Sequence, residues 1–275
     1  MTVTIERVRN RIQLAEFIGL PQRLYLGMRG YVPPLDIERR ELLDPKKSPF
    51  FSHGSAAYWI ARREGRAVGR VSAQIDQLAG PSAPPDLGLF GCLDAIDDRE
   101  VVADLLRTAE DWLRQHNRRH IRGPFLLSIN GETGVLIEGQ LEPPVTLLPW
   151  HPTYLNQYLR EAGYVCAMRM FSYVLDLKNF PAERLHELEI ARQGNKFSIR
   201  SMNLDNFEPE MEIGRKLFND GWQNNWGFTP GSVTDTRGLA RAFKPFLLRD
   251  GGFFINVGDE PAGFALSIPN IFEPV

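Results

Sequence analysis

Two stretches of the chain show the same succession of apolar and polar positions. One covers residues 58–71 and the other residues 253–266, and each has an apolar run, a short charged turn with glycine and a second apolar run. This pattern predicts a β-hairpin in each stretch. A strand-like opening (residues 3–5 and 197–202) and a helical stretch precede each predicted hairpin. The pattern therefore predicts that the same fold begins twice.

The two predicted copies differ in length after the hairpin. A long series of predicted strands and helices comes after the first hairpin, whereas the sequence stops shortly after the second. We therefore expect a complete unit at residues 1–178, a charged connector at residues 179–194 and the N-terminal half of a second unit at residues 195–275. The cofactor half of that second unit would lie beyond Val275.

Periodicity predicts most elements of the first unit. Residues 12–25 have helical spacing interrupted by Pro21, which indicates two short helices or one kinked helix, and residues 29–56 are rich in loops. Residues 87–93 read as a strand. The apolar positions of residues 99–116 fall on one face of a helix that Asp97 or Asp98 would cap and Asn117 would end.

The remaining part of the first unit is predicted to be a strand, a short helix and a strand. Residues 121–129 form a strand-like run, and Gly123-Pro124 within it favours a bulge or a sheet edge. Residues 154–161 form a short helix ended by Gly163, and the strand-like run at residues 164–177 closes the unit. The order of elements predicts a mixed α/β (α+β) fold.

Composition limits the classes of function. The 275 residues are 43% hydrophobic and 24% charged, which is typical of a soluble globular protein with a sizeable core. A net charge of −2 gives no reason to expect nucleic acid or a membrane surface as a partner. No apolar run is long enough to span a bilayer and no signal-peptide pattern is present, so a cytoplasmic location is expected. Cys92 and Cys166 lie in apolar runs and are expected to be buried free thiols.

Several short motifs occur in an order that resembles a known family. They are Lys47-Ser48-Pro49-Phe50-Phe51 with His53, Val68-Gly69-Arg70, Ile121-Arg122-Gly123-Pro124, Asn130-x-Glu132-x-Gly134, Pro152-x-Tyr154 and Trp222-x-x-Asn225-Trp226-Gly227-Phe228-x-Pro230.

With these motifs, the chain resembles bacterial two-domain proteins of the GNAT-like type, which have the acyl-CoA N-acyltransferase fold. The resemblance implies one full copy of that fold and a partial second copy, each with a mixed central sheet. It also implies a cofactor, acyl-CoA (acetyl-CoA first), and a small-molecule amine as the acceptor. A second copy of the chain, forming a homodimer, is a further candidate partner. Fold analogy alone does not establish activity.

The residues at the position of the family's cofactor loop do not suit acyl-CoA. GNAT enzymes bind the diphosphate of acyl-CoA through a glycine-rich loop at the N-terminus of the helix after the fourth strand. Here residues 94–100 contain no glycine and have several carboxylates, which repel phosphate and compete for the same N–H donors. We interpret this acidic stretch as helix capping. A divalent cation held by Asp94, Asp97 and Asp98 is the alternative.

The resemblance also directs attention to candidate catalytic residues in the first unit. The acceptor cleft of GNAT enzymes opens after the fifth strand, where Ser128, Asn130, Glu132 and Glu138 lie, and Glu132 could deprotonate an attacking ammonium. Alternatively, Asn130 and Glu132 organise a glycine-rich loop through hydrogen bonds to the backbone.

The place of the family's thiolate-protonating tyrosine is Leu159, with Tyr158 one residue earlier. Tyr154 and Tyr158 could reach the cleft or pack in the core. His151 is the remaining candidate base, and its sequence context is that of a loop histidine.

In the second unit, Trp222, Asn225, Trp226 and Phe228 come after a helical stretch that begins near Glu210. They could line the acceptor side of a substrate pocket or pack in the core. The predicted function is transfer of an acyl group from acyl-CoA to an amine. The alternative is a non-catalytic binding or scaffold protein derived from the GNAT fold that has lost acyl-CoA binding.

Overall fold

The computed structural model describes residues 2–80, 83–194 and 197–270, and within these residues two sheets organise the chain. The elements before residue 164 are β1 (Thr4–Arg7), α1 (Arg11–Tyr25), α2 (Asp36–Leu43), β2 (Gly54–Arg63), β3 (Arg66–Asp76), β4 (Leu87–Ala95), α3 (Arg99–Gln115), β5 (His120–Arg122) and α4 (Thr153–Glu161).

The first sheet has the order β1-β2-β3-β4-β5. The first four strands are antiparallel to their neighbours, and β5 is parallel to β4. β4 and β5 pair over only three residues each, from Leu87 with His120 to Leu89 with Arg122. The chain contains a cis Gly123-Pro124 peptide bond directly after β5. Among the described residues, no strand pairs with the second half of β4 on that side.

Helix α3 covers one face of the first sheet. Its apolar stripe is buried, and Leu105 lies so close to β3 that a Cβ atom at Gly69 would be 2.8 Å from its Cδ1. Asp98 caps the helix, because its carboxylate accepts hydrogen bonds from the backbone N–H groups of Glu100 and Val101. The helix predicted from periodicity at residues 99–116 is therefore confirmed.

The second sheet has the order β6-β7-β8. The elements after residue 176 are α5 (Ala182–Gly194), β6 (Phe197–Ser201), α6 (Phe207–Trp222), α7 (Val233–Phe243), β7 (Gly252–Val257) and β8 (Glu260–Leu266). Both predicted hairpins are present, as β2–β3 and as β7–β8. The first turns through Glu64 and Gly65, both at positive φ, which is the backbone twist that two-residue hairpin turns prefer.

A histidine joins the two units. His53 Nδ1 lies 3.0 Å from Asp76 Oδ1 at the end of β3, and His53 Nε2 lies 3.1 Å from Asp235 Oδ2 in the first turn of α7. Only a doubly protonated imidazole can donate to both carboxylates. Pro49 packs so closely on α7 that a Cβ atom at Gly238 would be 2.5 Å from its Cγ.

The structure corrects several expectations from the sequence. Within residues 121–129, the strand ends at Arg122, and Phe125 forms only an isolated bridge with Thr133. Residues 164–176 are not a strand: Val165, Tyr173 and Val174 are almost fully exposed, because alternating apolar residues form a strand only with a partner strand beside them. Cys166 is exposed, so its predicted burial is wrong.

Helices replace two of the predicted irregular regions. The loop-rich residues 29–56 contain α2, and the stretch predicted as a charged connector contains α5. Conversely, the proline in α1 neither splits nor ends the helix, which is continuous from Arg11 to Tyr25.

Leu105→Ala should lower the free energy of unfolding by about 2–5 kcal/mol, because it leaves a cavity between α3 and the sheet. Leu185→Ala, on the exposed side of α5, should change it by less than about 0.5 kcal/mol. Urea denaturation of both variants measures the difference. Equal effects of the two substitutions would contradict the placement of the core.

Candidate functional site

A cavity of about 80 Å³ lies beside the second half of β4, where β5 no longer pairs with it. Strands β3 and β4, helices α1 and α2 and the loops of residues 124–134 and 144–151 line it. Taking about 10–15 Å³ for each water-sized group, it holds roughly five to eight of them. The cavity therefore has room for the polar head of a ligand and for little more.

A bulge in β4 shapes one wall of the cavity. Arg70 is opposite Asp94 and Ser72 is opposite Gly91, so two residues of β4 face one residue of β3. Cys92 lies in this bulge with φ +44°, and such a bulge disrupts the local ladder of hydrogen bonds. Gly91 is required here, because a Cβ atom would lie 1.8 Å from the carbonyl oxygen of Phe125.

A buried ion pair connects β3 and β4 at the cavity. Arg70 Nε donates to Asp94 Oδ2 at 2.7 Å, and Arg70 Nη1 donates to the carbonyl oxygen of Phe17 in α1 at 2.7 Å. Both side chains are about 90% buried, and the guanidinium also lies over the ring of Phe17. Because each charge has a partner, the pair is stable as a unit, and loss of either member would leave an uncompensated buried charge.

A second ion pair connects α2 with the loop after β5. Arg39 Nη2 donates to Glu132 Oε1, and the Arg39 side chain is only 8% exposed. The two arginines and two carboxylates balance, so the cavity has no net charge from these four groups. The cavity therefore has no excess positive charge of the kind that phosphate sites use.

His151 is buried at the same cavity. Its Nδ1 accepts a hydrogen bond from the backbone N–H of Leu136 at 3.3 Å, so the ring proton of the neutral form is on Nε2. Burial lowers the pKa of His151, and the nearby carboxylates of Asp94 and Glu132 oppose this shift. His151 is therefore a neutral hydrogen-bond donor at neutral pH, with the lone pair of Nδ1 already in use.

Aromatic rings form another wall. Trp150 packs on Tyr31 at 5.2 Å and on Tyr25 at 5.5 Å between ring centroids. Burial raises the pKa of Tyr31 far above its usual value, so its hydroxyl keeps its proton. The wall is rigid and offers a neutral donor at its edge.

The structure brings one of the predicted catalytic residues, Glu132, into the cavity. Asn130 instead donates from Nδ2 to the carbonyl oxygen of Thr229 in the second unit. Tyr158 donates to Asp97, and Tyr154 donates to the carbonyl oxygen of Ala95. Neither tyrosine lines the cavity.

Of the predicted substrate-binding residues of the second unit, Trp226 contacts the first unit. Trp226 packs under the guanidinium of Arg122, 4.6 Å from its carbon, whereas Trp222 is half-exposed and stacks on Phe218. The backbone of Asn225 forms the turn after α6. None of these three residues lines the cavity of the first unit.

Sequence analysis did not propose three of the residues that line the cavity, Tyr31, Arg39 and Arg70, and it interpreted His151 as a loop histidine. Tyr31 and Arg39 lie in a stretch that is rich in proline and was predicted to be mostly loop. The available signal was Arg70, a charged residue within an apolar strand-like run.

The N-terminus of α3 does not fit the diphosphate of acyl-CoA. The Asp98 carboxylate occupies the first free N–H groups of the helix and pairs with Arg63 at 2.7 Å. Asp97, beside it, accepts the hydroxyl of Tyr158. Acidic side chains therefore already use the donors that a phosphate would need.

Neither a metal-ligand cluster nor a membrane-spanning helix occurs in the described part of the chain. These residues contain no group of three or more His, Cys, Asp or Glu side chains arranged to hold a metal ion. They also contain no helix with both the length and the apolar content needed to cross a bilayer.

The sequence matches two known proteins over nearly its whole length. It is 36% identical to the bacterial ceramide synthase of Caulobacter vibrioides over 269 residues, which are 98% of this chain and 70% of that protein. It is 35% identical to protein YghO of Escherichia coli over 269 residues, which are 97% of this chain and 68% of that protein. No family model matches the sequence.

The fold matches a tandem GNAT protein from the clavulanic acid biosynthesis pathway. The TM-score is 0.52 at 14% identity, and the match covers 98% of this chain and 76% of that chain. The chain belongs to the family of bacterial ceramide synthase and YghO, and it has a tandem GNAT fold.

His151→Gln should make the free energy of unfolding less dependent on pH in the acidic range. The folded protein resists protonation of His151, whereas the unfolded chain binds a proton near pH 6.5, so stability falls as the pH drops below about 6.5. The variant should remove up to about 1.4 kcal/mol per pH unit of that slope.

Urea denaturation between pH 7.5 and pH 5 measures this slope. His186→Gln, on the exposed surface of α5, is the matched control and should leave the slope unchanged. An identical slope in wild type and His151→Gln would show that His151 is not held neutral by burial.

Proposed function

We propose that this chain takes part in the transfer of an acyl group from acyl-CoA to the amino group of a long-chain amine. In this proposal, the cavity of the first unit binds the amino end of that acceptor. The finding that carries the proposal is the small, charge-balanced cavity at the opening between β4 and β5, with the Glu132 carboxylate in its wall. Such a concave site with few convergent polar groups is typical of small-molecule binding.

The cavity suits an amine better than an anion. Arg39 engages Oε1 of Glu132, and among the described residues no hydrogen bond to Oε2 is formed, so that oxygen is free to accept from an ammonium group. Glu132 is 23% exposed, which connects it with the cavity mouth. In our proposal, the ammonium group lies against this free carboxylate oxygen.

Exposed apolar side chains beside the cavity support a long aliphatic tail on the acceptor. Pro34, Pro144 and Leu148 line the cavity itself. In our proposal, a tail leaving the cavity lies along exposed apolar residues close in sequence to these three, which we call the rim. The rim consists of Leu35, Ile37, Leu141, Val145, Leu147 and Leu148.

The relative from Caulobacter vibrioides supports the same substrate class. It is named a ceramide synthase, and a ceramide is a long-chain amino alcohol with an acyl group on its nitrogen. A head group in a small polar cavity and a tail on an apolar rim match such an acceptor.

Formation of an amide from a thioester requires the amine in its neutral form. In our proposal, Glu132 accepts one proton of the bound ammonium through Oε2, and Arg39 orients the carboxylate through Oε1. The neutral nitrogen then attacks the thioester carbonyl, the C–S bond breaks as the amide forms, and CoA leaves as a thiol that takes the second proton of the nitrogen. His151, whose Nε2 carries a proton, donates a hydrogen bond and does not act as the base.

A non-catalytic role of the first unit is the second candidate. The capped N-terminus of α3 favours it, because the first unit then lacks the diphosphate site on which catalysis by a GNAT domain depends. The first unit would bind the amine and present it without contributing to acyl-CoA binding.

Glu132→Gln should lower the rate of amide formation at saturating amine about 100-fold or more, because the carboxamide cannot accept the proton. The assay incubates the purified chain with palmitoyl-CoA or acetyl-CoA and sphinganine, and mass spectrometry quantifies the amide. Glu142→Gln, an exposed carboxylate in the same loop region, is the control and should retain the wild-type rate.

Equal rates for Glu132→Gln and wild type would exclude Glu132 as the proton acceptor. Binding of sphinganine without amide formation from either acyl-CoA would support the non-catalytic role of the first unit. Absence of both binding and product would exclude a long-chain amine as the ligand of this cavity.

A further inference from the structure

A turn of the second unit, formed by residues 226–229, packs on the first unit. The carbonyl oxygen of Phe228 accepts a hydrogen bond from the backbone N–H of Gly80 at 3.0 Å, and the Phe228 side chain is buried. The ring of Trp226 lies under the guanidinium of Arg122. A backbone hydrogen bond and a stacked cation therefore hold this turn against the first unit.

The same turn contacts the loop that carries Glu132. Asn130 Nδ2 donates a hydrogen bond to the carbonyl oxygen of Thr229 at 3.0 Å. Gly227 lies so close to Ile129 that a Cβ atom on this glycine would be 2.5 Å from Ile129 Cδ1. Two consecutive residues of the loop, Ile129 and Asn130, thus contact the second unit just before the chain reaches Glu132.

This loop, residues 126–133, has little freedom to deform. The backbone N–H of Leu126 donates to the carbonyl oxygen of Glu132 at 2.8 Å, which closes the loop. A Cβ atom at Gly131 would collide with the carbonyl oxygen of Leu126, so the two sides of the loop are in direct contact. Because the loop is closed and tightly packed, a contact at Asn130 restrains the backbone of Glu132 as well.

The position of the Glu132 backbone matters for the cavity. The Glu132 carboxylate lines the cavity and pairs with Arg39 of α2. A proton acceptor has to lie within hydrogen-bond distance of the proton that it takes, and a displacement of about 1 Å can cost two orders of magnitude in rate. An element that restrains the loop therefore also restrains the carboxylate.

We propose that the turn at residues 226–229 sets the position of the Glu132 carboxylate in the cavity, and that Asn130 is the positioning residue that connects the two. The inference rests on the proposed function for the role of Glu132. Asn130 does not line the cavity and takes no part in the chemistry. In this way the second unit contributes to a site whose lining residues all belong to the first unit.

Hydrogen exchange of the full chain, without any ligand, tests the connection directly. The amide of Leu126 is the reporter, because its N–H group is bonded to the carbonyl oxygen of Glu132. Asn130→Asp keeps the size of the side chain, but a carboxylate cannot donate to the carbonyl oxygen of Thr229. Loss of this one hydrogen bond should make exchange at Leu126 about 2–10-fold faster.

Two further variants separate the connection from a local effect of the substitution. Gly227→Ala changes only the second unit and places a methyl group against Ile129, so it should also make exchange at Leu126 faster. Asn224→Ala, at an exposed residue just before the turn, is the control and should leave the exchange rate unchanged. Unchanged exchange at Leu126 in Asn130→Asp or in Gly227→Ala would overturn the inference.

Calorimetric titration with n-octylamine measures the consequence for the cavity. Asn130→Asp and Gly227→Ala should bind this amine about 3–10-fold more weakly than wild type, with an unchanged stoichiometry, because the carboxylate is displaced in every molecule. A merely structural defect would instead lower the stoichiometry through a fraction of unfolded protein and leave the affinity of the folded fraction unchanged.

The outcome is separable from that of the proposed function. Faster exchange at Leu126 together with wild-type affinity for n-octylamine would overturn the inference and leave the amine site intact. Wild type that does not bind n-octylamine would overturn the amine site, and exchange at Leu126 in the two variants then decides the inference by itself.

Discussion

The buried pair of Arg70 and Asp94 is the interaction on which the architecture of the site depends. It joins β3 to β4 across the bulge at Cys92, and the second nitrogen of Arg70 holds the backbone of α1 through Phe17. A charged pair in this position costs desolvation and is stable only when both partners are present. The result is a fixed opening beside β4, with charged groups held at defined positions in otherwise apolar surroundings.

Charge balance then determines which ligands the opening can bind. Arg39 and Glu132 form a second pair at the same cavity, and His151 remains neutral, so the site offers paired charges and directed donors without a net field. This arrangement differs from a phosphate site, where unpaired positive charge and free helix N–H groups converge.

Side chains of the chain itself occupy the N-terminus of α3. Asp98 accepts hydrogen bonds from the first N–H groups of the helix and pairs with Arg63, so these donors are already used. In the first unit, His53 and Pro49 contact helix α7 of the second unit. The motif of residues 47–53, which contains both, therefore connects the two units.

The sequence by itself determined the elements with local signals: the two hairpins, with glycine in their turns, and α3, with its apolar stripe and its Asp98 cap. It also singled out Glu132 as a site residue. Only the tertiary structure decided that the run at residues 164–176 is not a strand and that Arg39, Tyr31 and His151 meet Glu132. The physical reason is that periodicity reports which face of an element is apolar. Pairing of strands and convergence of buried polar groups depend on contacts between residues far apart in the chain.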